Sequence, residues 1–170
     1  QESKARRIEV SDADVTARLV SVGEVHGRDA EAAQAAYRRG TELASERRYE
    51  EAARELARAL ALQPDLTQAH LGLGYARLDT NEAAQALREF EFVLAKNPTS
   101  PGARVGVGIA RIRLGQVDEG IRLLEEAVVL NPEPVRGYYE LGRAYEARGD
   151  TARAVSQYRW AFLKLLQGRK

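Results

Sequence analysis

The octet LGLGYARL, residues 71–78, sets Gly72 and Gly74 inside a run whose apolar spacing is otherwise that of a helix. A dinucleotide-binding turn needs G-x-G-x-x-G or G-x-G-x-x-A between a strand and a helix, because bare backbone must approach a pyrophosphate. Arg77 stands where the third small residue belongs, and the preceding QPDLTQAH carries a turn signal rather than a β-branched run. A phosphate loop is therefore disfavoured, and the glycines need a structural reason.

Residues 105–112 read VGVGIARI, the same octet with aliphatic exchanges, 34 positions further on. A fixed period is the mark of an internal repeat. Followed outward, the period aligns Gly40, Gly74, Gly108 and Gly142, and also Pro64, Pro98 and Pro132. Small residues form a third series at Ala52, Ala86, Gly120 and Ala154. Leu56, Phe90, Leu124 and Tyr158 form a fourth, and Ala59, Val93, Ala127 and Ala161 a fifth.

These residues resemble the tetratricopeptide repeat, a helix-turn-helix unit of 34 residues with Leu-Gly in its first helix, alanines in its second and a closing proline. ELGRAYEARGDTARAVSQYRWAF, residues 140–162, is the nearest match, with Leu141, Gly142, Tyr145, Gly149, Ala154, Tyr158 and Ala161 at the family's places. In that register four repeats occupy 33–66, 67–100, 101–134 and 135–168. The resemblance implies an all-α fold, a right-handed solenoid of antiparallel helix pairs.

The residues support the same reading independently. Leu56, Ala59, Leu60 and Leu62, and again Leu123, Leu124, Ala127, Val128 and Leu130, recur at three and four as one broad amphipathic stripe. A glycine inside a helix costs on the order of 1 kcal/mol relative to alanine, so Gly74 and Gly108 imply close approach of two helices. Gly72 and Gly106 fall outside the family's usual positions and have no such account from sequence. The prolines follow the last turn of each second helix, where a residue lacking N–H ends it.

With 44% hydrophobic residues in 170, the chain can bury a continuous core, and no apolar run approaches the ~18 residues of a membrane span. The formal net charge is +1. Residues 1–32 carry five Lys or Arg against seven Asp or Glu, about −2, which leaves about +3 on the repeats, far short of a nucleic-acid footprint. The absence of cysteine excludes disulfides, thiolate metal sites and cysteine nucleophiles. A removed signal peptide or a trimmed start each accounts for Gln1 in place of methionine. Of 26 basic residues only four are lysine, a bias that fits a GC-rich bacterial source, with a periplasmic or envelope-associated location slightly favoured over the cytoplasm.

No catalytic constellation emerges. His26 and His70 are 44 positions apart, without the spacing or the cysteines of a zinc site. His70 falls where the family often has an aromatic residue, so a packing imidazole is expected. Glu50 with Glu51 and Glu125 with Glu126 are adjacent on helices, point in different directions and read as solvated faces. No Gly-x-Ser-x-Gly or Walker sequence is present. The reading is against an enzyme, with no cofactor and no metal.

What remains is binding of a protein or peptide, which repeat solenoids perform on their concave face. By resemblance, the groove is lined from the first helix of each repeat: Tyr37, Leu71, Val105 and Tyr139 at one position, Thr41, Tyr75, Ile109 and Arg143 at the next, then Ala44, Leu78, Ile112 and Glu146. Family members that clamp a chaperone carboxylate use Lys and Asn where this chain has Tyr37 and Thr41, so that clamp is disfavoured. The strip Leu71, Tyr75, Leu78, Val105, Ile109 and Ile112 suits an amphipathic helix or an apolar segment, with Arg113, Arg136 and Arg143 set to pair with its acidic margin. In a tightly wound solenoid part of that strip is internal packing instead.

Residues 1–32 do not form a fifth repeat, since Arg6 and Arg18 fall on the two small-residue positions. Ser11 as an N-cap, with Val15, Leu19 and Val22 at helical spacing, predicts one short helix over about 12–22. LVSVGEV could equally pair as a strand, and the first ten residues read as a flexible or partner-ordered arm. At the other end Trp160, Phe162, Leu163, Leu165 and Leu166 point in too many directions for one packing face. They predict a contact with another subunit, a partner or a membrane surface, unless Arg159, Lys164 and Arg169 suffice to solvate the face. Two functions follow: an interaction scaffold of a bacterial multiprotein assembly holding a helix or apolar segment in its groove, or a self-assembling module whose solenoid ends stack.

Overall fold

A computed structural model describes residues 12–130 and 135–168, residues 12–26 as backbone. Eight helices follow one another: α1 (Asp12–Ser45), α2 (Tyr49–Leu62), α3 (Thr67–Asp79), α4 (Ala83–Lys96), α5 (Pro101–Arg113), α6 (Val117–Leu130), α7 (Val135–Ala147) and α8 (Thr151–Gln167). α3, α5 and α7 begin on the first residue of the second, third and fourth repeats, and α2, α4, α6 and α8 begin 34 residues apart. Consecutive helices pack as antiparallel pairs into a right-handed solenoid, and α3·α5 and α5·α7 contacts run along one side.

Each pair reverses through three residues, at 46–48, 80–82, 114–116 and 148–150. The middle residue has positive φ every time: Arg47 at 61°, Asn81 at 65°, Gly115 at 84° and Gly149 at 75°. The left-handed region is where a chain leaving a helix turns most sharply, and only glycine enters it without strain. Between repeats the stops are as the prolines imply. Gln63 and Asn97 cap α2 and α4, with Pro64 and Pro98 directly after them. Ser100 accepts a hydrogen bond from the Ala103 N–H ahead of Pro101, and Asp150 accepts one from the Arg153 N–H. Pro132 lies outside the described residues.

The glycine series and the large apolar series meet. A Cβ on Gly74 would stand 2.6 Å from the Phe90 ring, and one on Gly40, Gly108 or Gly142 equally close to Leu56, Leu124 or Tyr158. The other two glycines of the opening octets face the previous repeat. A Cβ on Gly106 would lie 2.5 Å from Phe90, so this ring is gripped between Gly74 of its own repeat and Gly106 of the next. Gly72 has the same place above Leu56, a smaller residue, and there a Cβ would keep an ordinary 3.4 Å.

The core falls into two clusters along the solenoid axis, one of Ala36, Leu43, Leu56 and Leu73 and one running from Phe90 through Leu124 to Leu141 and Tyr145. At the amino-terminal side the structure departs from the sequence reading. The short helix expected over about 12–22 is the start of α1, which runs without a break across residue 33 into the first repeat, and LVSVGEV is helical, not a strand. The helical period of the apolar residues continues through the expected boundary, so nothing local interrupts it. The arm expected over the first ten residues lies outside the described residues.

Candidate interaction surfaces

The strip expected to line the groove divides. Tyr37, Leu71, Tyr75 and Ile112 are half-buried, but Leu78, Val105 and Ile109 are only 0%, 1% and 1% exposed. Those three are core, which corrects the expectation that a partner would touch them. The reason is the inner place of their helices: α3, which carries Leu78, contacts α1, α2, α4 and α5, and α5, which carries Val105 and Ile109, contacts α3, α4, α6 and α7.

The arginines are also spoken for. Arg136 reaches across the groove from α7 to α3, where its guanidinium donates to both carboxylate oxygens of Asp79 at 2.7 and 3.1 Å and lies 4.9 Å from the Tyr75 ring centre. Arg113 donates to the Leu78 carbonyl and pairs with Glu140 at 3.0 Å. Arg143 meets the other oxygen of Glu140 at 3.5 Å and stays exposed. The cations expected to hold a partner's acidic margin hold the chain's own carboxylates, because the superhelix brings α3, α5 and α7 side by side. Tyr75 donates its hydroxyl to the Gly102 carbonyl at 2.7 Å beneath this cover, and burial pushes the phenol up to about 12. Of the groove positions, Thr41, Tyr139, Arg143 and Glu146 are exposed, and Tyr37, Ala44, Leu71, Tyr75 and Ile112 are partly open.

His70 is the packing imidazole expected. Nδ1 faces Glu89 at 2.6 Å, Nε2 faces the Pro64 carbonyl at 2.9 Å, and the ring stacks 3.8 Å from Phe92. Arg77 closes on the second oxygen of Glu89 at 2.6 Å, so the cluster ties α3 to α4. Glu125 is not simply solvated: it accepts the Tyr145 hydroxyl.

The outer side of α8 is different. Trp160, Phe162, Leu163, Leu165 and Leu166 are all exposed, as is Val155. Among the described helices α8 touches α7 alone, through Ala154 and Ala161 and through Tyr158, which fills the space left by Gly142. Trp160 keeps one stacked neighbour, Tyr138, at 6.3 Å between ring centres. No helix among the described residues is long and apolar enough to cross a membrane.

Two tetratricopeptide repeat models match the sequence, one over residues 43–101 and 77–133 and the other over 106–161. The chain belongs to the tetratricopeptide repeat family. No curated relative matches it. Among solved structures, this tetratricopeptide repeat chain is similar to TTC0263, a thermophilic TPR protein of Thermus thermophilus. The two are 22% identical over 78% of this chain and 74% of that one, with a TM-score of 0.69. It is also similar to MamA 41-end from Desulfovibrio magneticus RS-1, at 24% identity over 79% and 76% of the two chains and a TM-score of 0.62. At these identities the likeness is one of fold.

Two features of the tetratricopeptide array escaped sequence reading. The fold-reversing series Arg47, Asn81, Gly115 and Gly149 has the 34-residue period, but two of its members are not glycine and do not announce a left-handed turn. The tie from Arg136 to Asp79 spans 57 positions and leaves no local signal.

Proposed function

We propose that this chain is a non-catalytic protein-interaction scaffold of a bacterial multiprotein assembly, holding a helix or apolar segment of another protein. The observation that carries this reading is the concentration of exposed large apolar residues on α8, of the kind that marks protein contacts. The polar groups of the interior serve the fold itself, as the His70–Glu89–Arg77 cluster and the arginines of the concave side do. A groove contact would use Tyr37, Leu71, Tyr139 and Arg143, with a partner's carboxylate competing with Glu140 for Arg143. The arginine-rich composition supports a bacterial source.

Partner retention tests the proposal. The chain would be immobilised, its retained proteins identified, and each titrated against Phe162→Asp and Tyr139→Asp variants with unchanged helix content by circular dichroism. A partner lost only with Phe162→Asp docks on α8, and one lost only with Tyr139→Asp docks in the groove. A folded chain whose retained proteins bind both variants undiminished would overturn the reading.

A further inference from the structure

The repeat itself shows what covers a face like that of α8. Val155 and Phe162 hold the positions that Ile121 and Val128 hold in α6, 34 residues earlier. Ile121 and Val128 are 5% and 4% exposed, whereas Val155 and Phe162 are 60% and 59% exposed. α7 makes the difference, packing on α6 so closely that a Cβ on Gly137 would come 2.4 Å from Val128. The face of α8 is therefore shaped for one more helix laid along it.

The charge of α8 narrows the occupant. Thr151–Gln167 contains Arg153, Arg159 and Lys164 and no acid. Arg153 already meets Asp150, while Arg159 and Lys164 meet no carboxylate among the described residues. Two α8 helices set against each other would bring cation to cation, so an acidic helix fits better.

One such helix is on hand. Residues 12–31 carry Asp12, Asp14, Glu24, Asp29 and Glu31 against Arg18 and Arg28, a net charge of −3 opposite the +3 of α8. Val15, Leu19 and Val22 recur at the four and three spacing of an apolar helical stripe. α1 has 34 residues, about 51 Å, and its antiparallel partner α2 has 14, about 21 Å. Residues 27–32 are accordingly exposed, and burial along α1 starts only at Ala33. Residues 12–31 of α1 extend about 30 Å, enough to lie along the 17 residues, about 25 Å, of α8. α1 packs on α2 and α3, at the opposite end of the solenoid from α8, so its own chain cannot supply the contact.

We propose that the Val155–Phe162–Leu166 face of α8 binds residues 12–31 of a second copy of this chain. The inference rests on the reading of the chain as an interaction module and names one partner for its α8 surface. The contact is heterologous, pairing two different surfaces, so it propagates into a chain of subunits or closes as a ring.

Two blocked variants test it by sedimentation: Phe162→Glu, which spoils α8 on an exposed site, and Leu19→Glu, which spoils the stripe of residues 12–31. The wild type should show mass rising with concentration and falling in high salt. Each variant alone should sediment as a monomer. Their equimolar mixture should give a dimer of twice the monomer mass and stop there, because one intact α8 and one intact α1 remain to meet. Self-association of Leu19→Glu alone would point to α8 pairing with itself and overturn the proposal. So would a wild type that stays monomeric at its highest soluble concentration, or one that instead binds anionic phosphatidylserine vesicles through Phe162. Such a monomer that still loses a retained partner with Phe162→Asp would leave the scaffold reading standing and sink only the self-contact.

Discussion

Leu78, Val105 and Ile109 on the concave side and Phe162, Leu163 and Leu166 on α8 are the same kind of side chain, in helices of the same repeat family. The first three are sealed and the last three are open. Neither hydrophobicity nor helical spacing separates them. What does is the number of neighbours each helix has in the array: α3 and α5 each have a repeat on either side, and α8 has α7 alone among the described helices. In a solenoid each unit buries its apolar face only against the next one. An apolar strip is evidence of a partner only where the array leaves it uncovered.

A pair of charge insertions gives the sharpest contrast. Ile109→Asp should cost about 3 to 5 kcal/mol, because an unpaired carboxylate is left in the core. Phe162→Asp should change stability by no more than about 0.5 kcal/mol. Urea unfolding followed by circular dichroism measures both, and equal midpoints for the two variants would erase the distinction.

Alkaline titration sharpens the same contrast at the groove surface. Burial raises the Tyr75 phenol from its ordinary 10 to about 12, so its proton is held more tightly in the folded chain. The stability this contributes is complete below pH 10 and is lost as the pH rises toward 12, by about 2 to 3 kcal/mol. Tyr145 and Tyr158 are raised by burial too. The difference between wild type and Tyr75→Phe across pH 10 to 12 therefore isolates Tyr75. Parallel curves would mean that the ring is as open to water as Tyr139.

The seal between repeats can be loosened by one atom. Gly106→Ala puts a Cβ 2.5 Å from the Phe90 ring and should cost roughly 1 to 3 kcal/mol. Combined with Phe90→Leu it should cost less than the sum of the two single changes, since Leu56 leaves room at the equivalent Gly72. Thermal unfolding of the four proteins gives the coupling, and strict additivity would disprove the grip on Phe90.

The smallest effect belongs to the tie over Tyr75. Asp79→Asn removes the charge that Arg136 meets across the groove and should cost under about 1 kcal/mol, because both partners are partly exposed. A double-mutant cycle with Arg136→Ala measures it, and zero coupling would show that the groove is not held shut there.

Much of this molecule was legible early because a repeat states its local rules four times over. Helix starts from α2 onward, the proline stops and the glycines that admit Leu56, Phe90, Leu124 and Tyr158 all follow the 34-residue period. Gly106 is explained only by Phe90 touching two repeats at once, whereas Gly72, with an ordinary 3.4 Å to Leu56, is not required by a close approach. The groove was legible as a position but not as a surface: Arg113 and Arg136 read as free in sequence because Glu140 and Asp79 lie in other repeats. The unbroken α1 was missed because the repeat register suggested a boundary at 33 that the helical period does not respect.

The sequence by itself determined the helices of the repeats, their pairing and the family, since these depend on contacts within one repeat or between adjacent ones. Only the tertiary structure decided which apolar and charged residues remain for a partner. That depends on the superhelical stacking that lays α3, α5 and α7 side by side and leaves α8 with one neighbour among the described helices, and no spacing within a single helix encodes it.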